Sequence, residues 1–413
     1  MNTRPQLMLT AGETALVDAL AAAGSPAAET LRKEIVLRGL PTRRVEAWHY
    51  TDLRALMKAF PAQSGKAGNA VAMPELVAAA ALDFAGNAFD SACLARLPQG
   101  VSGAAAHKPG DLPEGVEIAD DMIGKLNRAL FAAGVELSVA AGAKVETPIA
   151  IAQAVSGGTA QALCHAVTIG ADAQVTVIER AGSDGAENHQ NSVTHLAIGK
   201  GAKVTWLIHQ ELGTATDRLA QLNISLAEDA NLTLLMLNAG GRLVRQEVHI
   251  AVNGENASLA IKGVNLIGAG SHTDVTTTLN HAVPNTTATE LFRNVVPGAG
   301  RGVFQGQIRV AQPAQKTDAQ MACNTLLLSD ESDFSAKPEL EIFADDVVCA
   351  HGATVADIED EHLFYLRARG IPEREARALL VKAFVEEVFE DIGNEPLSEA
   401  LVGRIETWLD RNG

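Results

Sequence analysis

Five stretches in the middle of the chain are built to one plan. They are "VELSVAAGAKVETPIAI", "HAVTIGADAQVTVIE", "HLAIGKGAKVTWLIHQEL", "ISLAEDANLTLLML" and "IAVNGENASLAIKG". Each holds an alternating apolar strand, a small turn with Gly, Asp or Asn, an alanine, and a second alternating strand. Aligned on the turn alanines, Ala143, Ala173, Ala202, Ala230 and Ala257 recur at spacings of 30, 29, 28 and 27 residues. A regular period of that size with two short strands per unit is the signature of a β-solenoid. No unit can bury its apolar face alone, so neighbours must stack. The strand pattern runs on through "GVFQGQIRVAQPAQKTDAQMACNTLLLS" to "ELEIFADDVVCAHGATV". Residues 136–355 are therefore expected to form one right-handed parallel β-helix core in a mostly β chain, with helical regions on either side. The end of such a stack exposes unpaired backbone and invites strand-to-strand association.

The flanks have a different period. Residues 1–135 read as a helical and irregular region. Thr10 and Glu13 have the spacing of a capping box, and "ETLRKEIVLRGLP" has spaced apolar residues that stop at Gly39-Leu40-Pro41. Residues 61–135, rich in Ala, Gly and Pro, support only short helices and loops. Residues 356–413 read as helical again, with one helix from Asp357 to Arg369 ended by Gly370 and another opened by Pro372. On the second, Ala376, Leu380, Phe384, Val388 and Ile392 form one apolar stripe, and Ala378, Val381, Val385 and Phe389 a second beside it. A face this broad fits either a helix buried within its own chain or a surface that receives a partner.

Composition removes several function classes. The 413 residues carry a formal net charge of -17, opposite to the basic patch expected of a nucleic-acid binder. No apolar run approaches the roughly 20 residues that span a bilayer, and Glu13 and Asp18 interrupt the one N-terminal stretch with the look of a secretion signal. Cys93, Cys164, Cys323 and Cys349 are scattered without a CxxC, so a disulfide framework is not expected and a reducing cytoplasm is the simplest home. There is no P-loop, no HExxH and no G-x-S-x-G. Asp345 and Asp346 are adjacent, so on a strand they face opposite ways and make a poor catalytic pair.

One short stretch, "DDVVCAHGATV" at residues 345–355, has chemistry to weigh. Cys349 and His351 are two apart on an expected strand and project from the same face. They could be two ligands of one metal, a nucleophile beside its base, or two plain residues at a core edge. Two donors are too few for a closed tetrahedral site. Cys164 and His165 are adjacent and diverge on a strand, and Cys164 and Cys323 read as core.

Three segments together resemble a known family: "LPTRRVEAWHYTDLRAL" (40–56), "GRGVFQGQIRVAQPAQKTDAQMACNTLLLSDES" (300–332) and "KPELEIFADDVVCAHGATV" with "LFYLRARGI" (337–371). They are similar to the SufB/SufD family of iron–sulfur cluster assembly proteins. Within it, the Glu46-Ala47-Trp48-His49-Tyr50-Thr51 motif and the moderate length point to the branch that pairs with SufB. The resemblance implies a non-catalytic scaffold subunit with two partners. A SufB-like subunit would pair through the β-helix cores. A SufC-like ABC ATPase, which would hydrolyse the ATP, would bind the C-terminal helical region, with Leu380, Phe384 and Val388 facing it. The cargo implied is a transient iron–sulfur cluster at the junction, shared with SufB, and the matching ligand positions are His351 and Cys349. Thiolate and imidazole both suit iron. A reduced flavin is a further cofactor implied for the family's complex, with no motif for it here. A homodimer is expected when the chain is isolated. Trp48 and Tyr50 read as anchors seating the N-terminal helices on the solenoid. Two alternatives stand beside this: a stand-alone β-helix enzyme acting on carbohydrate, and a homodimeric SufB-like scaffold with two His351/Cys349 pairs across a twofold axis.

Overall fold

The computed structural model describes residues 7–63, 71, 73–390 and 392–412. From Val135 to Ala356 the chain winds through sixteen strands, most of them ten residues long. Successive strands alternate between two sheets, so hydrogen-bonded neighbours are two apart in sequence and almost all pairings are parallel. The result is a parallel β-solenoid of about eight turns with helices before and after it.

The turns explain the repeat. The residue before each aligned alanine has positive φ: Gly142 (70°), Asp172 (56°), Gly201 (65°), Asp229 (56°) and Asn256 (59°). Glycine enters that left-handed region freely, and Asp and Asn tolerate it by bonding locally. The alanine that follows turns inward, and Ala173, Ala202, Ala230 and Ala257 are fully buried. Two further turns keep the geometry without the alanine: Asn285 and Lys316 have positive φ, and Thr286 and Thr317 follow them. Those two hydroxyls are 3.1 Å apart, a polar version of the same stacked column.

Inward-facing positions from both sheets fill the lumen as one continuous apolar core running from Leu82 to Ala344. An internal amide ladder accompanies it. Asn238 donates to Asn265 at 2.7 Å, Asn265 to Asn294 at 2.7 Å, and Asn294 to the Thr325 hydroxyl at 3.0 Å. The outer faces are covered by helices from opposite ends of the chain. Helices Ala11–Ala23, Pro26–Arg38 and Met122–Leu130 pack on the nine-stranded sheet over Cys164, Val193, Leu219 and Leu243. The capping box holds, with Glu13 N–H donating to Thr10 Oγ1 and Thr10 N–H to Glu13 Oε2. Helices Asp360–Arg367, Glu373–Glu386 and Glu395–Asn412 lie on the side of the ten-stranded sheet.

Residues 80–105 differ from the sequence expectation of short helices and loops. Strand Ala80–Ala85 pairs in parallel with Ile149–Val155, and Val101–Ala105 runs antiparallel to Val135–Val139. Their small residues hide the alternation. At Gly103 a Cβ would lie within 3.1 Å of Leu137, Leu94 and Leu97, so close packing there requires the missing side chain.

Candidate functional site

The two ends of the solenoid are finished differently. At the N-terminal end each sheet closes on an antiparallel strand, Ala88–Phe89 in one and Val101–Ala105 in the other. At the C-terminal end the last strands are Asp333–Ile342 and Val348–Ala356, each hydrogen-bonded on one side only. Around that free end Val348 is 62% exposed and Phe343 58% exposed, with Ile342 and Val355 also open to solvent.

Cys349 and His351 lie on this free edge. In register Cys349 pairs with Ala319 and His351 with Met321, and both partners are buried in the lumen. The two residues therefore continue lumen-facing columns, as their spacing required. Cys349 is half-buried against the last layer of the core, and His351 is exposed. Burial pushes the Cys349 thiol up, so the isolated chain presents it protonated at neutral pH, and a metal would have to displace that proton. Among the described residues no group of three or more His, Cys, Asp or Glu is placed to hold a metal ion. Among the described residues, the open end thus carries these two candidate donors and no group of three.

The other three cysteines, Cys93, Cys164 and Cys323, are buried. Burial pushes Cys164 up to about 11 and Cys323 up to about 12, which leaves both as inert thiols. Cys164 packs on the side of the N-terminal helices while His165 lies 5.0 Å from the Phe84 ring on the lumen side, so the neighbours do diverge.

The apolar C-terminal helix is covered in large part by its own chain. Val388 is fully buried with Val381, Val385 and Phe389 against Leu237, Val264, Leu266 and Val295 of the ten-stranded sheet and the facing Leu397, Leu401 and Ile405. The expectation that Val388 faces a partner is therefore corrected. The two stripes are broad because they meet a sheet on one side and the last helix on the other. Leu380 and Phe384 are half-buried at the rim, with the Arg293 guanidinium 5.1 Å from the Phe384 ring centre. What stays open in this region is Phe364, 73% exposed, with Tyr365 and Leu379.

Sequence reasoning missed a second polar centre on the outer face of the nine-stranded sheet. Trp48 is buried with the Arg245 guanidinium 4.0 Å from its ring centre. Arg245, itself buried, donates to Glu247 at 2.8 Å, to Asp274 at 2.7 Å and to the Ala47 carbonyl at 2.6 Å. Thr51 donates to Asp274 and lies 2.9 Å from His272 Nε2. Burial acts to raise the Glu247 carboxyl, and Arg245 and His249 outweigh it, holding it at about 2. Trp48 is thus the anchor its sequence suggested, and Thr51 seats the same motif. Beside this network lies a cavity of about 570 Å³, lined by Glu46, Glu247, Thr278, Gln305, Arg309 and Lys337 among others, without a Phe, Tyr or Trp. Its only trace in the sequence is charge at alternate positions of "LVRQEVHIAV", which reads as an ordinary solvated face. The covering motif lies some two hundred residues away, which is why the burial is invisible there.

Comparison with known proteins places this architecture. Residues 150–384 match the family model described as SUF system FeS cluster assembly, SufBD core domain. The chain is 31% identical to the iron–sulfur cluster assembly protein SufD of Escherichia coli, over 92% of both chains. It is 32% identical to a SufBD family protein of Synechocystis over 52% of this chain and 47% of that one. It is 25% identical to SufB of Bacillus subtilis over 67% of this chain and 60% of that protein. A solenoid with one unfinished end, a Cys-x-His on its last strand and a buried Trp48 motif is what the matched segments share a chain with, and the protein belongs to the SufB/SufD family of SUF iron–sulfur cluster assembly proteins, as a SufD-like member.

Proposed function

We propose that this protein is the scaffold subunit of a SUF assembly complex, pairing edge to edge with a SufB-like subunit and helping to hold a nascent iron–sulfur cluster at that junction. The observation that supports it is the unfinished C-terminal end, where both last strands are free and where Cys349 and His351 stand together. A partner strand added there satisfies the open backbone and can bring the missing donors. Thiolate and imidazole from this chain then form part of a mixed ligand set, and the incompleteness suits a cluster that must leave. The exposed Phe364, Tyr365 and Leu379, with Leu380 and Phe384 at the rim, are the surface offered to a SufC-like ABC ATPase, on which ATP hydrolysis is expected. The 570 Å³ cavity is lined by no Phe, Tyr or Trp to stack on a flavin, and no step is assigned to one.

The test is anaerobic co-expression with SufB-like and SufC-like subunits. His351→Ala should leave complex yield intact, because one side chain is a small part of a large interface. Iron and sulfide per complex should fall sharply, and Cys349→Ser should lower them as well. Wild-type iron and sulfide in His351→Ala complexes of normal yield would make Cys-Ala-His a structural strand end.

A further inference from the structure

One outer column of the ten-stranded sheet changes character along its length. In register it reads Leu237, Val264, Arg293, Asn324, Thr354. The first two are buried beneath the C-terminal helices. The last three are polar and carry a continuous set of side-chain hydrogen bonds toward the free edge. Arg293 Nη2 bonds Glu387 Oε2 at 2.7 Å, on the short 3₁₀ turn that ends the apolar helix. Arg293 Nη1 donates to Asn324 Oδ1, and Asn324 Nδ2 donates to Thr354 Oγ1 at 2.6 Å. The Arg293 side chain is only 12% exposed, and its guanidinium also lies against the Phe384 ring. Thr354 is on the last strand, in the same nine residues as Cys349 and His351 but on the opposite face.

We infer that Arg293 is a positioning residue: a two-headed strut through which the C-terminal helical region sets the order of the edge strand Val348–Ala356. The physical reason is the geometry of guanidinium. It is planar, holds two acceptors at fixed angles, and loses little freedom per bond formed. One nitrogen is committed to the helix end and the other to the sheet. Moving Glu387 or Phe384 therefore tilts the plane and changes what Asn324 can offer Thr354. The edge strand is the element most open to such influence, since it is hydrogen-bonded on one side only and packs few apolar side chains. Anything that shifts Phe384 or Glu387 on docking would act on the strand through this column. The inference deepens the proposed function and rests on it for its consequence, while the mechanical coupling belongs to the chain alone.

Amide hydrogen exchange on the isolated full chain tests the coupling without any partner. Glu387→Ala should speed exchange across Val348–Ala356 by about threefold or more, although the altered residue lies on another element. Asn324→Ala, at a half-exposed site, should do the same. With Asn324→Ala already present, adding Glu387→Ala should produce no further change in the edge strand, because the strut is already cut. Arg293→Lys keeps the charge and lacks the fork, so it should speed edge-strand exchange as Glu387→Ala does. Unchanged edge exchange in Glu387→Ala, or effects that simply add in the double variant, would overturn the inference. In the three-subunit complex, Asn324→Ala should retain both partners and lower iron and sulfide per complex. If the native complex carries no cluster, the proposed function fails and the exchange result still stands; if it does and the exchange shows no coupling, the strut alone fails.

Discussion

Glu290 offers a quantitative test of how the lumen is built. It faces inward between Ile261 and Met321, both buried, and neither carboxyl oxygen has a hydrogen-bond partner. Burial pushes the carboxyl up to about 7. A carboxyl whose folded pKa lies above its unfolded value binds its proton more tightly when folded. Its contribution is complete below about 4.5 and is lost as the pH climbs through about 7. The rise corresponds to roughly 3 kcal/mol between the fully protonated and fully ionised limits. Glu290→Gln replaces the acid by a neutral side chain of nearly the same shape. The difference in unfolding free energy between wild type and variant should thus favour wild type more at pH 5 than at pH 8, shrinking by about 2.5 kcal/mol between them. Buried His165 and His189, held down at about 3, and His281, at about 4, act in the opposite sense, adding stability above about 6.5 that is lost as the pH falls. They are present in both proteins and cancel in the difference. Denaturant unfolding followed by circular dichroism at half-unit pH steps reads the result. Parallel profiles for the two proteins would show that Glu290 ionises in the folded state without penalty, and the closed lumen at that turn would be wrong.

Arg245→Met should leave Glu247 and Asp274 buried without their shared cation and cost about 3–5 kcal/mol, read in the same unfolding assay, with the segment around Trp48 becoming sensitive to protease first. Val388→Asp should destabilise the isolated chain by about 3 kcal/mol or more, since a carboxylate enters the chain's own core. Phe364→Asp should leave the melting temperature unchanged and remove co-purification with the ATPase subunit; an equal loss of stability in both variants would refute the separation of core from docking surface. The isolated chain should self-associate weakly in light scattering, more strongly at high salt, and Val348→Lys should abolish it; a salt-weakened dimer would show that other surfaces pair.

The solenoid was legible because its turns impose a chemical demand at a fixed interval. A left-handed residue followed by a buried small one leaves Gly, Asp or Asn before Ala, and that pairing survives where strand composition varies. The repeat fades at Asn285-Thr286 and Lys316-Thr317, where a stacked threonine pair replaces the alanine, yet the backbone keeps the same turn. Placement of Cys349 and His351 on one face followed from strand geometry alone. Their position on a free edge, and the absence of a third donor from this chain among the described residues, needed the sheet order. Val388 was misjudged because a helical stripe records burial without naming what covers it. The network of Arg245, Asp274, Thr51 and Trp48 was missed for a related reason: its members are apart by up to about two hundred residues, and charge at alternate strand positions has the pattern of solvent exposure.

The two free strands are not equivalent, and the difference bears on which partner they accept. The edge Asp333–Ile342 carries Lys337, Pro338, Glu339 and Glu341. Pro338 offers no N–H, and the charges oppose indiscriminate pairing, which is how natural sheets blunt an exposed edge. The edge Val348–Ala356, "VCAHGATVA", holds no Lys, Arg, Asp or Glu and no proline. It is the strand that invites pairing. A second copy related by a twofold axis would set the acidic residues of Asp333–Ile342 near their own counterparts, a repulsion that salt relieves and that limits the homodimer. A different chain can meet the same edge with cations opposite Glu339 and Glu341 and keep the pairing along Val348–Ala356. In the pairing proposed above, the charged strand would select and the uncharged one would bind. Cys349 and His351 lie on the uncharged strand, so in that proposal the side chains that would hold the cluster come under the same selection as the backbone that would pair.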